Sequence, residues 1–342
     1  MPKVSLPQLP LSGLFAVAKP SGPTSMSVIN DIKHLVGNSR LFVDGEKLEE
    51  RKSKGKAFKR GKRARDTVKI GQGGTLDPLA DGVLVVGVGK GTKRLNEFLD
   101  CVKEYRTTAL LGCETDSYDG EGVRVRIAPW SHVTKESVES MLDKFRGEIH
   151  QTPPIFSALK MDGRPLYEYA RQGIPLPRPI EPRKVTVHSL ELVDWKGDDH
   201  TFRWPEKAFS DDEKKSMEKA LENVEEKPVV RDEPELHASD VSPSAFVLSM
   251  KVSGGTYVRS IVHDLGHALG SAAHVVTLTR SRQGRFTLDP KEEGDKGCVP
   301  WEVFSKATES EGGVDEDGWT EWEREVIDRL EIVDGSKSNT AV

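Results

Sequence analysis

Only three cysteines occur among 342 residues: Cys101, Cys113 and Cys298. Three thiols cannot all pair with one another, and their spacing fits no metal-ligand pattern. That excludes a disulfide scaffold and a cysteine-held metal, and leads us to expect reduced thiols in an intracellular protein. No apolar run reaches the ~20 residues of a membrane-spanning helix. With 31% charged residues and a mean hydropathy of -0.51, a soluble protein with no membrane role is expected. The first twenty residues lack the features of a secretory or transit peptide. There is no internal repeat. Gly87-Val88-Gly89-Lys90-Gly91-Thr92-Lys93 lacks the spacing of a phosphate loop, which excludes an ATP site of that kind. Strands and helices alternate without a strict βαβ rhythm, so the expected class is α+β.

Charge is present in excess but unevenly. Residues 1–195 carry 31 Lys+Arg against 24 Asp+Glu, and residues 196–342 carry 19 against 31, giving +7 and -12 and the net -5. The acidic excess lies in 196–244 and 288–342, and the remaining body is basic. A basic body suggests a polyanionic partner, nucleic acid being the commonest. Residues 51–69 hold ten Lys/Arg and one Asp. They read as a flexible basic insertion, suited to phosphate contact or nuclear import, or simply a solvated loop.

The expected elements follow from periodicity and punctuation. A short strand covers 14–18. Thr24 or Ser25 caps a helix with Val28, Ile29, Ile32 and Leu35 on one face and Gly37 as its stop. Strands are expected at 103–112 and 122–127, and a helix capped by Thr134. Residues 151–182 lack periodicity and read as a long functional loop. Strand regions follow around 185–192 and 246–252, flanking an acidic insertion at 196–244. Gly254-Gly255 opens a helix through Leu269, and a last basic strand spans 275–286. Beyond 288 an acidic tail with one short helix is expected.

The chain is organised around Gly71-Gln72-Gly73-Gly74-Thr75-Leu76-Asp77-Pro78-Leu79-Ala80-Asp81-Gly82, which runs directly into the apolar stretch from Val83. Glycines permit positive φ and close approach, and Pro78 pushes Asp77 toward an extended conformation. Asp77 therefore stands on a shaped loop at the mouth of a buried strand. A working carboxylate and a plain Asp-Pro turn fit this stretch equally well. Elsewhere, His263 and His267 sit four apart on the expected helix, with His274 as the nearest further nitrogen ligand. Asp264 replaces the Glu of the zinc-peptidase motif, so a zinc hydrolase is a minor alternative.

The stretch from Gly73 to Leu84 closely resembles the catalytic motif of the TruB-type tRNA pseudouridine synthases. Further motifs of that family follow in order: Lys19-Pro20-Ser21-Gly22, Lys103-Glu104-Tyr105, Phe156-Ser157-Ala158-Leu159-Lys160 with Leu166 to Arg171, Gly255 to Ser260, and Ala273 to Leu278. The resemblance covers about residues 14–286 apart from the two insertions.

It implies a pseudouridine synthase fold, with a mixed, mostly antiparallel sheet, flanking helices and a central RNA-binding cleft. One catalytic domain would span 1–287, with insertions at 38–69 and 196–244 and an RNA-gripping segment at 151–182. An acidic tail, 288–342, would follow without an evident PUA domain. The implied activity is isomerisation of uridine 55 in the tRNA T loop, with base flipping and no cofactor or metal. Asp77 would act as nucleophile or base at the sugar, Arg259 would pair with it, and Tyr105 would stack on the base. Tyr257 and Leu278 would line the pocket, and Gln72, Gly74 and Thr75 would contact substrate. Lys19, Lys93, Arg280 and Arg282 would meet phosphates.

The implied partner is the tRNA T-arm, with T-loop-like messenger RNA hairpins as a further candidate. The expected state is a monomer in the nucleus, with the mitochondrion or cytoplasm as further locations. The insertions resemble the eukaryotic, fungal-looking branch. Gln72 stands where the family usually has a His whose ring stacks within the opened T loop. That departure leaves room for a second alternative, a catalytically idle tRNA-binding or folding protein on the same scaffold.

Overall fold

The computed structural model describes residues 8–53, 68–154, 159–172, 174–220, 231–233, 235, 242–310 and 312–333. Most of the basic run 51–69, and Phe156-Ser157-Ala158, lie outside them. The strands in chain order are β1 Gly13–Lys19, β2 Ile70–Gln72, β3 Asp81–Val88, β4 Lys103–Leu111, β5 Cys113–Thr115, β6 Arg124–Ile127, β7 Gly147–Gln151, β8 Lys160–Met161, β9 Arg164–Pro165, β10 Arg183–Gly197, β11 Ala245–Val252, β12 Ala273–Gln283, β13 Phe286–Thr287, β14 Lys296–Pro300 and β15 Glu331–Ile332. The helices are α1 Ser25–Val36, α2 Gly45–Ser53, α3 Asn96–Leu99, α4 Lys135–Met141, α5 Leu166–Gln172, α6 Asp211–Ala220, α7 Val258–Ala268, α8 Trp301–Glu309 and α9 Glu321–Arg329. The chain divides into two compact units, Met1–Cys101 with Arg280–Val342, and Val102–Thr279. The boundary falls within β12. No described helix is long and apolar enough to cross a membrane.

In the first unit, β1 pairs antiparallel with β3 along its whole length and parallel with β14. The pairings β3-β1-β14-β13-β12 return to β3, so these strands form a ring. Helix α1 starts where the Thr24 hydroxyl accepts the Ser27 N–H at 3.0 Å, and it buries Val28, Ile29, Ile32 and Val36. This is the cap-and-stripe pattern that the sequence announces.

Two expectations fail here. The described part of 288–342 is not a tail: Val299, Val303, Phe304, Trp319, Trp322, Val326 and Ile327 share one core with Phe15, Val17, Ile32 and Leu84. The acidic residues lie between these apolar ones and satisfy the fold. Buried Glu323 accepts from Ser39 at 2.5 Å and from the Thr320 backbone N–H at 2.9 Å. The segment from 38 is likewise no loose insertion at its start, because Leu41 and Phe42 are buried in that core.

In the second unit β4, β11, β10 and β7 pair antiparallel in that order, with β12 on the other side of β4. Described residues of the acidic insertion bond to this unit. The Trp204 indole donates to Leu111 O at 2.9 Å. Asp232 accepts from Ile127 N, and Glu235 from both Trp130 N and Ser131 N, each at 2.9 Å. Those two backbone bonds hold Glu235 down at about 2. Residues 159–180 form the β8–β9 hairpin and α5 around Met161, Leu166, Tyr169, Leu176 and Ile180. Seven residues of helix are too few to display a periodicity, which is why the sequence reads as loop.

Candidate active site

Between β2 and β3 the chain has no regular hydrogen-bond ladder, yet eight consecutive carbonyls each accept a bond. Gln283 Nε2 donates to Gly73 O at 2.5 Å, and the Arg280 guanidinium to Gly74 O at 3.2 Å and Thr75 O at 3.3 Å. Ser25 donates to Leu76 O at 2.8 Å and accepts the Leu76 N–H at 2.9 Å. Ala80 N bonds Asp77 O. Gly22 N and Lys19 Nζ bond Pro78 O, Ser21 bonds Leu79 O, and Lys19 Nζ bonds Ala80 O at 2.6 Å. An unmatched buried carbonyl is costly, so each bond removes an alternative course of the loop. Asp77, partly exposed, is presented by a segment fixed on both sides.

Glycine is required at position 82, where φ is +102° and an added Cβ would meet Arg280 O at 2.2 Å. Arg280 can reach the loop only because β12 passes this close.

The braces correct two expectations. Lys19 is 1% exposed and Arg280 is 1% exposed, and both spend their donors on loop carbonyls. They shape the site and are not placed to meet phosphates. Arg282 is held by Asp295 at 2.5 and 3.0 Å. Lys93 is exposed, in the short 3₁₀ helix Gly89–Arg94. Gln72 donates through Nε2 to Thr75 Oγ1 at 3.3 Å and lies 4.0 Å from Met26 Sδ. Its Oε1 is buried with no partner among the described residues.

The second unit holds Tyr105, Tyr257, Arg259 and Leu278. Tyr105 is buried in β4, opposite Met250, and Leu278 is buried in β12. Tyr257 begins α7, and its backbone is gripped by the Gln151 amide, which accepts Tyr257 N–H at 2.7 Å and donates to Tyr257 O at 2.9 Å. Arg259 is 6% exposed. Its guanidinium donates to Ser117 O at 2.6 Å and lies 3.7 Å from the Asp119 carboxylate. Ser117 and the Glu121 N–H in turn hold Asp119 Oδ1. Asp119, Gln151 and Gln283 were not singled out in the sequence, and Ser25 was read only as a candidate helix cap. Only Asp119, in the turn Asp116-Ser117-Tyr118-Asp119-Gly120, carried a signal that a reader could have followed.

The histidine pair has a different third partner from the one expected. His274 is buried elsewhere with Nδ1 on Cys113 O at 2.9 Å, and burial pushes it down to about 4 despite that bond. Instead Glu114 of β5 meets His263 Nε2 at 3.1 Å and His267 Nε2 at 2.9 Å, while Arg126 Nε donates to it at 2.9 Å. Burial disfavours charge on His263, but its bonds to Asp264 and Glu114 outweigh that and lift it to about 9. Burial would raise Glu114, yet the two histidines hold it well below the usual carboxylate range. Tyr118 stacks on His263 with centroids 3.8 Å apart. These three groups could in composition ligate a metal. Arg126 Nη2 lies 3.2 Å from His267 Nε2, so a dication there would stand against a guanidinium. The cluster is an ion-pair fastening of α7 to β5. Cys113 is no nucleophile, because burial raises its thiol to about 12.

A model of the TruB family pseudouridylate synthase N-terminal domain matches residues 59–207. The tRNA pseudouridine synthase 4 of Schizosaccharomyces pombe is 37% identical over 343 aligned residues, covering 86% of this chain and 82% of that protein. The tRNA pseudouridine synthase 4 of Saccharomyces cerevisiae is 38% identical, covering 82% and 78%. Among solved structures, a chain of a Cbf5-Nop10-Gar1 complex matches with a TM-score of 0.50 at 21% identity, covering 94% of this chain and 60% of that one. That last likeness is one of fold.

Proposed function

From the premise that this chain belongs to the TruB family of pseudouridylate synthases, we propose that it is the isomerase that converts uridine 55 of the tRNA T loop to pseudouridine. The observation that carries this reading is the loop with eight bonded carbonyls, which presents Asp77 in one fixed place. Preorganised geometry of this kind is what a covalent or proton-transfer step requires of its carboxylate.

Asp77 acts at C1′ of the target. The N1–C1′ bond breaks with its electron pair leaving on the uracil, the base turns, and C5 bonds to C1′. The C5 proton is then lost and N1 takes one up, so the product is an isomer and no redox partner is needed. Arg259, steadied by Ser117 O and Asp119, is the cation assigned to the reaction. Tyr105 stacks on the base and assists the proton movement. The target must leave its stack, at a cost of about a few kcal/mol. Lys93 is exposed and suits phosphate contact, which makes binding salt-dependent.

The test is incubation with unmodified tRNA followed by chemical mapping of pseudouridine. Asp77→Asn is expected to bind tRNA and leave uridine 55 unchanged. Normal conversion by that variant would sink the assignment of Asp77. Binding without conversion by the wild-type protein would favour the idle RNA-binding reading. Nuclear entry through the basic run 51–69 is a separate proposal, tested by the location of a fluorescent fusion lacking residues 51–65.

A further inference from the structure

The chain turns sharply after β5, through Asp116-Ser117-Tyr118-Asp119-Gly120. Tyr118 has φ +62°. Glycine adopts that left-handed conformation freely, and asparagine or aspartate does so at little cost, but for a bulky aromatic residue it is an outlier. Such outliers persist only where their surroundings hold them, and they concentrate at working sites. The ring of Tyr118 is held. It lies flat on the imidazole of His263, with centroids 3.8 Å apart and planes 18° apart. That imidazole is fixed at both edges, Nε2 on Glu114 at 3.1 Å and Nδ1 on Asp264 at 2.9 Å. It therefore offers Tyr118 a face of constant orientation.

The peptide joining Ser117 to Tyr118 is bonded on both sides. Its N–H donates to Thr115 O at 3.2 Å, and its carbonyl accepts the Arg259 guanidinium at 2.6 Å. A peptide is planar and trans, so these two groups point opposite ways. The φ of Tyr118 sets the tilt of that plane. At an ordinary negative φ the plane would turn and carry Ser117 O away from Arg259. Strand β12 grips the other side of the turn: Val275 N donates to Tyr118 O at 3.0 Å, and Val275 O accepts the Gly120 N–H at 2.8 Å. Arg259 and His263 are four apart in α7, on one face in successive helical turns. The turn thus meets α7 twice, by a carbonyl at Arg259 and by a ring at His263.

We propose that Tyr118 is a positioning residue for the reaction: its ring, laid on His263, holds the Ser117–Tyr118 peptide where its carbonyl steadies Arg259. The inference rests on the function proposed above, in which Arg259 is the cation of the reaction. Tyr118 acts on the chemistry only through the place of that guanidinium. Aromatic pairs prefer defined geometries, which an aliphatic side chain would not impose. A glycine at 118 would make the same turn without strain and leave its peptide free to swing. A ring held in a strained conformation occupies the position instead, so what it contributes is orientation.

The experiment measures single-turnover conversion of unmodified tRNA, and tRNA affinity, below the melting transition of each protein. The proteins are wild type, Tyr118→Phe, Tyr118→Gly, His263→Leu and the double variant Tyr118→Gly with His263→Leu. Tyr118→Gly is expected to slow conversion about tenfold, the upper range for one aromatic contact, with the dissociation constant changed less than about threefold. Tyr118→Phe keeps the ring and should retain most of the rate. His263→Leu should slow conversion about as much as Tyr118→Gly, and the double variant no more than the slower single, because both changes remove one stack. A wild-type rate for Tyr118→Gly, equal defects in Tyr118→Gly and Tyr118→Phe, a loss of affinity alone, or a double variant slowed about a hundredfold would overturn the inference while leaving the assigned reaction standing. Should His263→Leu not fold, the two Tyr118 variants decide alone. Absence of conversion at uridine 55 by wild type would overturn that reaction, and this inference with it.

Discussion

Around Asp77 the bracing donors are two serine hydroxyls, an ammonium, a guanidinium, an amide and backbone N–H groups. These are types that keep their protons through the neutral range. Around the helix that carries Arg259 the fastening is a buried carboxylate, two imidazoles and a guanidinium. The first support is made of many bonds to backbone and holds one short loop. The second is made of charges and holds a whole helix through its side chains. The loop's support should therefore be indifferent to pH and should weaken with each donor removed. The helix's support should hold only within a pH window.

The sharpest way to break the contrast is at Arg280. Arg280→Met leaves the carbonyls of Gly74, Thr75 and Val83 without their donor. Each orphaned group costs about 1–3 kcal/mol, so a loss of about 3 kcal/mol or more in chemical denaturation is expected, with conversion falling further than stability alone explains. Retained turnover at normal stability would show that the loop holds itself.

At Asp119 the effect should be smaller. Asp119→Asn keeps the hydrogen bonds but removes the negative charge near Arg259. We expect about a tenfold slower single-turnover rate with tRNA affinity little changed, an effect of about 1.4 kcal/mol. A change in affinity alone would place Arg259 in binding and not in the reaction.

The pH window follows from the cluster. His263 is raised from 6.5 to about 9. Its contribution is complete below about 6.5 and is lost as pH rises through about 9. Glu114 is lowered from 4.5, so its contribution is complete above about 4.5 and is lost as pH falls through its lowered value. Thermal melts of wild type and His263→Gln should differ most between about pH 4.5 and 6.5 and converge above about pH 9. Arg280→Met should shift the melts equally at every pH. The least effect is expected from Ser25→Ala, about 1 kcal/mol from two lost bonds to Leu76, partly offset by water. That loss should be measurable by denaturant titration and independent of pH.

Much of this was readable beforehand. Thr24, the apolar stripe of α1 and the alternation of β11 stand in the sequence because local chemistry alone determines them. The loop at 71–82 was visible as glycines and carboxylates, and Asp77 sits where that stretch suggested. What could not be read is how far a cation is buried. Lys19 and Arg280 look like any surface bases until the backbone passes over them. The C-terminal segment misled for a related reason. Its acidic residues dominate composition, while Trp319, Trp322 and Val326 become a core stripe only once β1 and α1 are beside them. Glu114 was invisible as a partner because 149 residues separate it from His263.

The braces of the Asp77 loop have one more consequence, for a chain made on the ribosome. Ser25 and Lys19 emerge before Asp77, but Arg280 and Gln283 emerge about two hundred residues later. At roughly 5–20 residues per second that is a wait of about 10–40 s. Throughout it the loop lacks the donors for Gly73, Gly74 and Thr75, and β3 lacks its neighbour β12. The nascent protein thus carries its reactive carboxylate early and sets it late. Competence arrives only once β12 has been made, about two hundred residues after the carboxylate itself.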